Sequence, residues 1–380
     1  MSIMKSQIFA LIASIASIVL TACNNSGTNI HNSTTTQISP LRYDFAEQGE
    51  HIVKSCKVIE LSNDYLLSFI KKVLVLDNGN FIIMDKDNVY EFSAQGNAVR
   101  QYSRKGRGPA EYVVLTDIAL DVQGQLLYIL DGMNRVLRFS TQTGGFVDEI
   151  TLKGSHKRVD GLAVAGDEIY IFAANSSFTK SIDSKECLFS FGIDGIMRGS
   201  YIACEDFTIP MAAFNMSHNG SYLVKPLCDN VIRRVGTDGI TEAYQIDCNG
   251  KYAAPSAIYT NGILDIESYF AAATYKAAMH IQETDTQLAF ILGGPNNEVF
   301  SVICDKNGRS GMRMQARDKI TTPTAMVAAD ADSFYFVMDK YTDEGLDLQA
   351  DPLMRYVVEQ YGLLKEDDNP RLIGVEFKNI

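Results

Sequence analysis

The chain has 380 residues, 46% of them hydrophobic, so it is long enough to bury a large core and is not a disordered protein. Its 46 acidic residues outnumber the 34 basic ones, which gives a formal net charge of −12. A protein that neutralises nucleic-acid phosphates needs a broad basic face, so nucleic acid is excluded as a partner and any anion site must be local.

The first 22 residues have the composition of an export signal. Lys5 supplies one early positive charge, and Ile8 to Leu20 is an apolar and small-residue run that is too short for a membrane span. It is followed by Thr21-Ala22-Cys23, which together with Leu20 resembles the lipobox of bacterial lipoproteins, whose Cys thiol receives a diacylglycerol. We therefore predict a signal peptide over residues 1–22 and membrane attachment through lipidated Cys23. The alternative is an ordinary signal peptide with a coincidental Cys.

Residues 24–40 are almost wholly Asn, Ser, Thr, Gly and Gln and have no apolar periodicity. This composition predicts a flexible tether, so residues 23–40 are assigned to a tether and residues 41–380 to the folded domain. Asn24 is not the Asp that favours inner-membrane retention in some bacteria. We expect an outer membrane lipoprotein, and the sequence leaves open which face of the membrane it occupies.

An internal repeat organises the rest of the chain. Four Val-centred hydrophobic runs, each ending at a Gly, align with one another. They begin at Asp87, Asn134, Asp229 and Asn297, and a weaker copy begins at Cys187. The run before each copy is continuously apolar, as in Leu126 to Leu130, which is typical of a strand covered on both faces. Four-stranded sheets stacked radially in a β-propeller provide that double coverage.

The repeat predicts six blades. Their ranges are 66–104, 112–152, 159–204, 210–248, 270–317 and a last blade that begins near Thr324. The last blade lacks an outer strand, which the segment from His51 to Leu61 can supply. Closing the ring with strands from both termini removes an open sheet edge. The predicted fold class is therefore all-β, a six-bladed β-propeller closed by its N- and C-terminal strands.

The last blade carries an insertion between Lys340 and Asn369 that predicts a short helix. Asp351 suits the N-cap and Pro352 suits the first helical position. An apolar stripe at helical spacing follows, formed by Leu353, Tyr356, Val357, Tyr361 and Leu364. The Ala-rich run from Tyr269 to Ile281 is ambiguous between helix and strand, and we favour a loop followed by a strand.

Four features together resemble the six-bladed β-propeller lipoproteins of the Bacteroidota, which are relatives of NHL-repeat propellers. They are the lipobox, the polar tether, the loop Gly106-Arg107-Gly108-Pro109-Ala110-Glu111-Tyr112 and Asp368-Asn369-Pro370 before the last strand. The resemblance covers residues 41–380 and implies the propeller fold, but little about activity. That family usually has Gly where this chain has Ala110, which predicts strain if the position has a positive φ.

In a propeller, the loops between blades share one face with the turns between second and third strands. Candidate ligand-binding residues on this loop face are Arg104, Lys105, Arg107, Glu111, Tyr112, Asp131, Asn134, Arg135, His156, Lys157 and Arg158. Such a basic cluster in an acidic protein predicts a site for a carboxylate, sulfate or phosphate group, to which Arg offers paired donors. The alternative is a solvated loop in which Glu111 pairs with a neighbouring Arg.

A metal-dependent hydrolase or lyase at the channel mouth is a second candidate. Asp117, Asp160, Asp131 and Glu111 could form a carboxylate ring there, with His156 or His280 nearby. Their spacing matches no metal motif, and the chain has no Gly-x-Ser-x-Gly elbow, phosphate-binding loop or Cys-x-x-Cys pair. We therefore assign no catalytic residue, no metal ligand and no cofactor.

Excluding Cys23, the chain has six cysteines in an oxidising compartment. The hairpin turn at Asp238-Gly239 places Cys228 opposite Cys248. The turn at Asp194-Gly195 similarly places Cys187 near Cys204. Each pair could form a disulfide between adjacent strands, and buried free thiols are the alternative.

These patterns predict a lipid-anchored, monomeric propeller of the cell envelope that acts as a non-catalytic binding module. An anionic or glycan ligand, or a partner protein in nutrient uptake, would bind its loop face. The absence of Trp weakens sugar stacking, whereas 18 Tyr and 19 Phe keep aromatic contacts available. A structural subunit of an envelope complex is a third interpretation.

Overall fold

The structure is a computed structural model. It describes residues 30–31, 34–46, 51–121, 125–132, 134–154, 159–173, 186–203, 214–217, 219–226, 229–254, 257, 259–261, 263–316, 326–338, 352–362 and 368–379. The predicted signal peptide and Cys23 lie outside these residues. No helix in the described part of the chain is long and apolar enough to cross a membrane.

Before the first blade the chain forms four strands. They are β1 (Ile30–His31), β2 (Thr36–Ile38), β3 (Asp44–Phe45) and β4 (Val53–Glu60), with a 3-10 turn at Pro40–Arg42. The first three blades follow, each with four strands. Blade one contains β5 (Lys72–Val75), β6 (Phe81–Met84), β7 (Val89–Phe92) and β8 (Ala98–Ser103). Blade two contains β9 (Leu115–Asp121), β10 (Leu126–Asp131), β11 (Arg135–Ser140) and β12 (Phe146–Thr151). Blade three contains β13 (Gly161–Ala165), β14 (Glu168–Phe172), β15 (Glu186–Gly192) and β16 (Met197–Ala203).

The second half of the ring repeats this pattern. Blade four contains β17 (Asn215–Met216), β18 (Tyr222–Val224), β19 (Val231–Gly236) and β20 (Gly239–Ile246). A small hairpin of β21 (Tyr259–Thr260) and β22 (Ile263–Leu264) leads to helix α1 (Ile266–Ala271). Blade five contains β23 (Lys276–Glu283), β24 (Gln287–Gly293), β25 (Val299–Asp305) and β26 (Gly311–Ala316), with a 3-10 turn at Pro295–Asn297. Blade six contains β27 (Met326–Ala329), β28 (Phe334–Met338), helix α2 (Pro352–Tyr361) and β29 (Arg371–Phe377).

The six-bladed β-propeller is confirmed, and so is its mode of closure. Strand β4 supplies the outer strand of blade six and pairs antiparallel with β29, from Arg371 opposite Glu60 to Phe377 opposite Val53. The second strands are buried as predicted, and every residue of β24 is buried. This burial arises because each blade packs on the blade before and the blade after it.

The two helices match the sequence patterns in part. Helix α2 begins at Pro352 as predicted, and Val357 is buried in the core of blade six. Asp351 and Leu364 lie outside the described residues. In the Ala-rich run, the strand is correct, but the chain before it forms helix α1, whose N-terminus is capped by the Asp265 carboxylate accepting from the Ser268 N–H at 3.0 Å.

The predicted tether is wrong at its C-terminal end. Strands β1 and β2 pair parallel to β20 of blade four, and β3 pairs parallel to β26 of blade five. Ile38 is fully buried in a core cluster shared by these two blades. Residues 30–45 are here called the strap. The strap could not be recognised from its polar composition, because β-pairing uses backbone groups that every residue has. Two buried apolar side chains, Ile38 and Tyr43, are enough to anchor this polar segment to the core.

Neighbouring blades are joined at a glycine of the turn between third and fourth strands. A Cβ on Gly96 would collide with the Glu60 carbonyl oxygen, and one on Gly195 would collide with that of Thr151. Both carbonyls belong to the outer strand of the preceding blade. At blade five the corresponding Gly308 instead meets the carbonyl of Gln37. The strap therefore takes the place that an outer strand occupies elsewhere in the ring.

A buried carboxylate adds a polar link between blades four and five. Glu283 accepts two hydrogen bonds of 2.7 Å from Arg234, a third from Tyr244, and lies 3.2 Å from the Lys306 ammonium. Burial acts to raise the pKa of Glu283, but the Arg234 guanidinium outweighs it and the pKa falls to about 2. The carboxylate therefore stays charged throughout the physiological range.

The structure decides between the two alternatives for one pair of cysteines. Cys248 is a buried free thiol, so the possible Cys228–Cys248 disulfide is not formed. The hairpin register was right, since Val231 lies opposite Gln245, but after Ile246 the chain turns to the strap, and the Asp247 N–H donates to the Ile38 carbonyl at 2.8 Å. Cys228 lies outside the described residues. Cys187 is disulfide-bonded, and its predicted partner Cys204 lies outside the described residues, so that pairing stays a prediction.

Replacing Ile38 with Ala should lower the free energy of unfolding by about 2–4 kcal/mol, because it leaves a cavity between blades four and five. Urea unfolding of the purified protein measures this change. The matched control, Thr34→Ala, alters an exposed strap residue and should have little effect. If Ile38→Ala is as neutral as the control, residues 36–40 are a tether after all.

Candidate functional site

The candidate site is built on the loop from Arg104 to Tyr112, which connects β8 of blade one to β9 of blade two. Its two ends are held together, since the Gly106 N–H donates to the Tyr112 carbonyl at 2.9 Å and the Tyr112 N–H donates to the Arg104 carbonyl at 3.3 Å. The Tyr112 side chain is fully buried, and its hydroxyl donates to the Asp87 carbonyl in the neighbouring turn. Tyr112 therefore anchors the loop and does not face solvent as a ligand-binding residue would.

Glu111 sits at the centre of the loop. Its Oε2 accepts the Gly108 N–H at 2.7 Å and its Oε1 accepts Arg104 Nε at 2.7 Å. The Gly108 N–H, followed by Arg104, holds the pKa of this carboxyl below its usual range. A Cβ on Gly106 would collide with the same carboxylate. A larger residue at Gly106 would therefore displace the Glu111 carboxylate from its present hydrogen bonds.

Ala110 adopts a φ of +62°, so the condition under which the sequence predicts strain at this alanine is met. Its carbonyl accepts the Ser103 hydroxyl at 2.6 Å, so the surrounding hydrogen bonds fix this conformation. The backbone at this position is therefore set by the loop and not by the preference of alanine.

Asp131 and Arg135 support the loop from blade two. Asp131 is completely buried, accepts the Val114 N–H at 3.0 Å and pairs with Arg135 at 2.8 Å. Arg135 also donates to the Glu111 carbonyl at 2.8 Å and pairs with Glu149 at 2.9 Å. These side chains are engaged in positioning the loop.

The other predicted residues fall into two groups. Asn134 lies in the turn between β10 and β11 with a φ of +60°, and its carbonyl accepts the Leu152 N–H at 2.9 Å. His156, Lys157 and Arg158 lie outside the described residues. Lys153 follows β12, and its backbone N–H donates to the carbonyl of Gly195 in the turn between β15 and β16 at 2.7 Å.

The solvent-exposed side chains of the loop include three cations. The side chains of Arg104 and Lys105 are 78% and 67% exposed, and Arg107 is exposed as well. Lys105 lies 4.0 Å from Asp87, at the limit of an ion pair. The structure thus brings these three cations together while Asp131, Arg135, Glu111 and Tyr112 form their support.

Sequence reasoning missed the neighbours of this cluster. Lys71 and Lys86 are exposed on the adjacent loop and turn of blade one, and Lys71 Nζ donates to the Lys86 carbonyl at 3.3 Å. Three exposed apolar side chains lie on the same face, namely Leu66, Phe69 and Val114. These two lysines and three apolar residues lie just before β5, just before β9 or in the turn after β6. Because such segments meet on one face of a propeller, their sequence positions could have identified them as neighbours of the loop.

The carboxylates considered for a metal site have other partners. Asp117 accepts Lys72 Nζ at 2.8 Å and the Leu162 N–H at 2.7 Å, and so links the inner strands of blades one, two and three. His280 lies in β23, where burial lowers its pKa. Across the part of the chain that the structure describes, no three His, Cys, Asp or Glu side chains are grouped so that they could hold a metal ion.

Fold and loop together define a six-bladed β-propeller with a cationic loop face on blade one. Residues 48–376 match the family model described as "Domain of unknown function (DUF4934)", and the chain belongs to that family. No curated protein matches the sequence.

Two solved structures share the fold. One is a Bacteroides fragilis protein titled "Putative exported protein", with 18% identity and a TM-score of 0.71 over 90% of this chain and 100% of that one. The other is a member of the DUF4221 family from Bacteroides vulgatus, with 9% identity and a TM-score of 0.53 over 86% and 97% of the two chains. At these identities the likeness establishes the propeller fold alone.

Replacing Ala110 with Gly should raise the free energy of unfolding by about 0.5–1 kcal/mol, because relief of the left-handed conformation exceeds the added flexibility of the unfolded chain. Ala94→Gly, in a turn of blade one whose φ is not positive, is the matched control and should lower stability instead. Thermal or urea unfolding distinguishes them. Equal destabilisation by both substitutions would contradict the strained geometry at Ala110.

Proposed function

We propose that the protein is a lipid-anchored β-propeller of the bacterial cell envelope that binds an anionic glycan on the loop face of blade one. In this role it acts as a binding module and not as an enzyme. One observation carries the proposal. The Glu111 carboxylate accepts hydrogen bonds from within the loop and fixes its shape, while the side chains of Arg104, Lys105 and Arg107 are exposed to solvent.

Rigidity matters because binding costs free energy when loops and side chains must be ordered. Here Glu111, Tyr112 and Arg135 already fix the backbone of the loop, so a ligand would have to order only the ends of the cationic side chains. In the Arg104–Glu111 pair the Arg104 side chain is 78% exposed and the Glu111 side chain 21%, so a carboxylate or sulfate can approach the guanidinium from the solvent side.

The surroundings favour a glycan over a small inorganic anion. Lys71 and Lys86 extend the positive surface along blade one. Phe69 and Leu66, which are 56% and 73% exposed, provide apolar surface on the same face. A sugar ring with a carboxylate or sulfate substituent combines both chemistries, since its C–H face packs on aromatic side chains while the substituent meets the cations.

The double substitution Arg104→Ala/Arg107→Ala should weaken binding of dextran sulfate at least about tenfold and reduce its salt dependence, because two charge-assisted contacts are lost. Isothermal titration at two salt concentrations measures this, with uncharged dextran as the reference polymer. Lys54→Ala/Arg309→Ala removes two exposed charges from the opposite end of the blades and should leave affinity nearly unchanged. If both variants lose the same amount of affinity for dextran sulfate, binding is nonspecific charge attraction and the proposed site is wrong.

The anchor is the second part of the proposal. If Cys23 is lipidated, only six residues, 24–29, separate it from Ile30, the first residue of the strap. The seven Cα-to-Cα steps between them span at most about 25 Å, so the propeller would lie close to the membrane surface with the edge of blade four nearest the anchor. The name of the Bacteroides fragilis structure supports an envelope location, and we place the protein in the outer membrane.

Cys23→Ser should move the protein from the membrane fraction to the soluble fraction after cell lysis, because lipid attachment needs the thiol. Fractionation followed by mass spectrometry of the N-terminus checks both location and modification. A Cys23→Ser protein that still sediments with membranes, or a wild-type N-terminus that carries no lipid, would contradict the anchor without affecting the loop-face site.

A further inference from the structure

The strap shows that the outer edges of these blades can accept an added strand. In blade four Ile30 pairs parallel with Ile240, and in blade five Asp44 pairs parallel with Met312. Both contacts lie at the beginning of the outer strand. The protein therefore contains two examples of parallel strand addition at one structural position.

In blades one, two and three the corresponding outer strands are β8, β12 and β16, and no strand within the described residues pairs with their outer side. We call the starts of these three strands, with the turn residues Ile193 and Ile196, the open rim. Its large apolar side chains and their exposed fractions are Val99 40%, Phe146 40%, Val147 49%, Ile193 49%, Ile196 44% and Met197 50%.

An internal comparison shows how unusual this exposure is. Ile240, Phe146 and Met197 each lie opposite the last apolar residue of the third strand in their blade. Ile240, whose side chain packs into the core shared by blades three and four, is 1% exposed, whereas its counterparts in blades two and three are 40% and 50% exposed. Exposed apolar residues on an unpaired edge are what proteins normally avoid, because such an edge is a template for another strand.

The charges of the open rim indicate the chemistry of the missing strand. Arg138 pairs with Asp148 at 2.5 Å, Arg198 pairs with Asp194 at 2.7 Å, and Arg100 pairs with Glu91 at 3.0 Å. The ionic groups near the edge are thus neutralised within their own blades. The strap residues that pair with blade four, Ile30–His31 and Thr36–Ile38, likewise contain no carboxylate, lysine or arginine, whereas the shorter pairing on blade five contains one carboxylate, that of Asp44.

We propose that the open rim is a docking surface for an extended, uncharged segment of a partner protein, which adds to β12 and β16 as a parallel strand. Backbone hydrogen bonds to the edge would supply affinity, and aliphatic side chains at alternate positions would cover Val147 and Met197. This surface lies on the outer circumference and is separate from the cationic loop face, so a partner and a glycan could be held at once.

A synthetic peptide with the sequence of residues 28–40 is a defined probe, because it contains β1 and β2, which pair with the edge of blade four in the same propeller. Hydrogen–deuterium exchange of the full chain should show slower exchange in β12 and β16 as peptide is added, with half-saturation below about 1 mM. Val147→Asp/Met197→Asp should weaken this protection at least about tenfold. Unchanged exchange in the buried strand β14 shows that the variant is folded.

Two controls make the test specific. Leu66→Asp alters an exposed apolar residue on the loop face and should leave peptide protection unchanged. A peptide with Ile30 and Ile38 replaced by Asp should not protect the outer strands. Absence of protection at saturating peptide would overturn the proposal. A concentration-dependent dimer of the free protein that is lost in Val147→Asp/Met197→Asp would also overturn it, since the rim would then be occupied by a second copy.

Discussion

Closure of the ring by pairing of β4 with β29 is the constraint on which the rest of the structure depends. Each blade buries its second and third strands against its neighbours, so a ring with one missing outer strand would expose apolar faces at the seam. The N-terminal chain prevents this by supplying the outer strand of blade six, and on its way it covers the edges of blades four and five. Half of the circumference is therefore covered by the N-terminal part of the chain, whereas no strand within the described residues pairs with the outer edges of blades one, two and three.

The loop between blades one and two depends on the same architecture. Packing of Tyr112 into the core between blades one and two and the buried Asp131–Arg135 pair fix the two ends of the loop, so the chain between them needs little sequence of its own. Glu111 then organises Gly106, Gly108 and Arg104 around a single carboxylate. A set of basic residues is thereby displayed without collapsing onto the acidic surface of the protein, and this separation of supporting and displayed residues makes the loop suitable for binding.

Much of the fold could be predicted from the sequence, because a repeated pattern of buried strands and Gly turns has few structural solutions. Ala110 was identified as a position where a positive φ would cause strain, but only the structure shows that the φ is positive. The strap was not predictable from composition, because Ile30, Ile38 and Tyr43 are isolated apolar residues in a polar segment and pairing depends on backbone groups. The sequence left Cys248 open between a disulfide and a free thiol, and the strap, which draws the chain away from the hairpin, decides for the free thiol. Part of the site could be predicted, because the spacing of the sequence located the basic residues. Their roles could not, because only side-chain contacts show that Arg104 is exposed at the surface whereas Arg135 pairs with Asp131 and holds the loop.

The central claim is that the displayed cations of the blade-one loop bind an anionic sugar. A crystal structure of the protein with a sulfated disaccharide tests this most directly. The account predicts a sulfate oxygen within about 2.7–3.2 Å of the Arg104 or Arg107 guanidinium, with the loop backbone unchanged from the unliganded structure. A disaccharide bound elsewhere on the propeller, or a loop that must rearrange to reach it, would contradict the account.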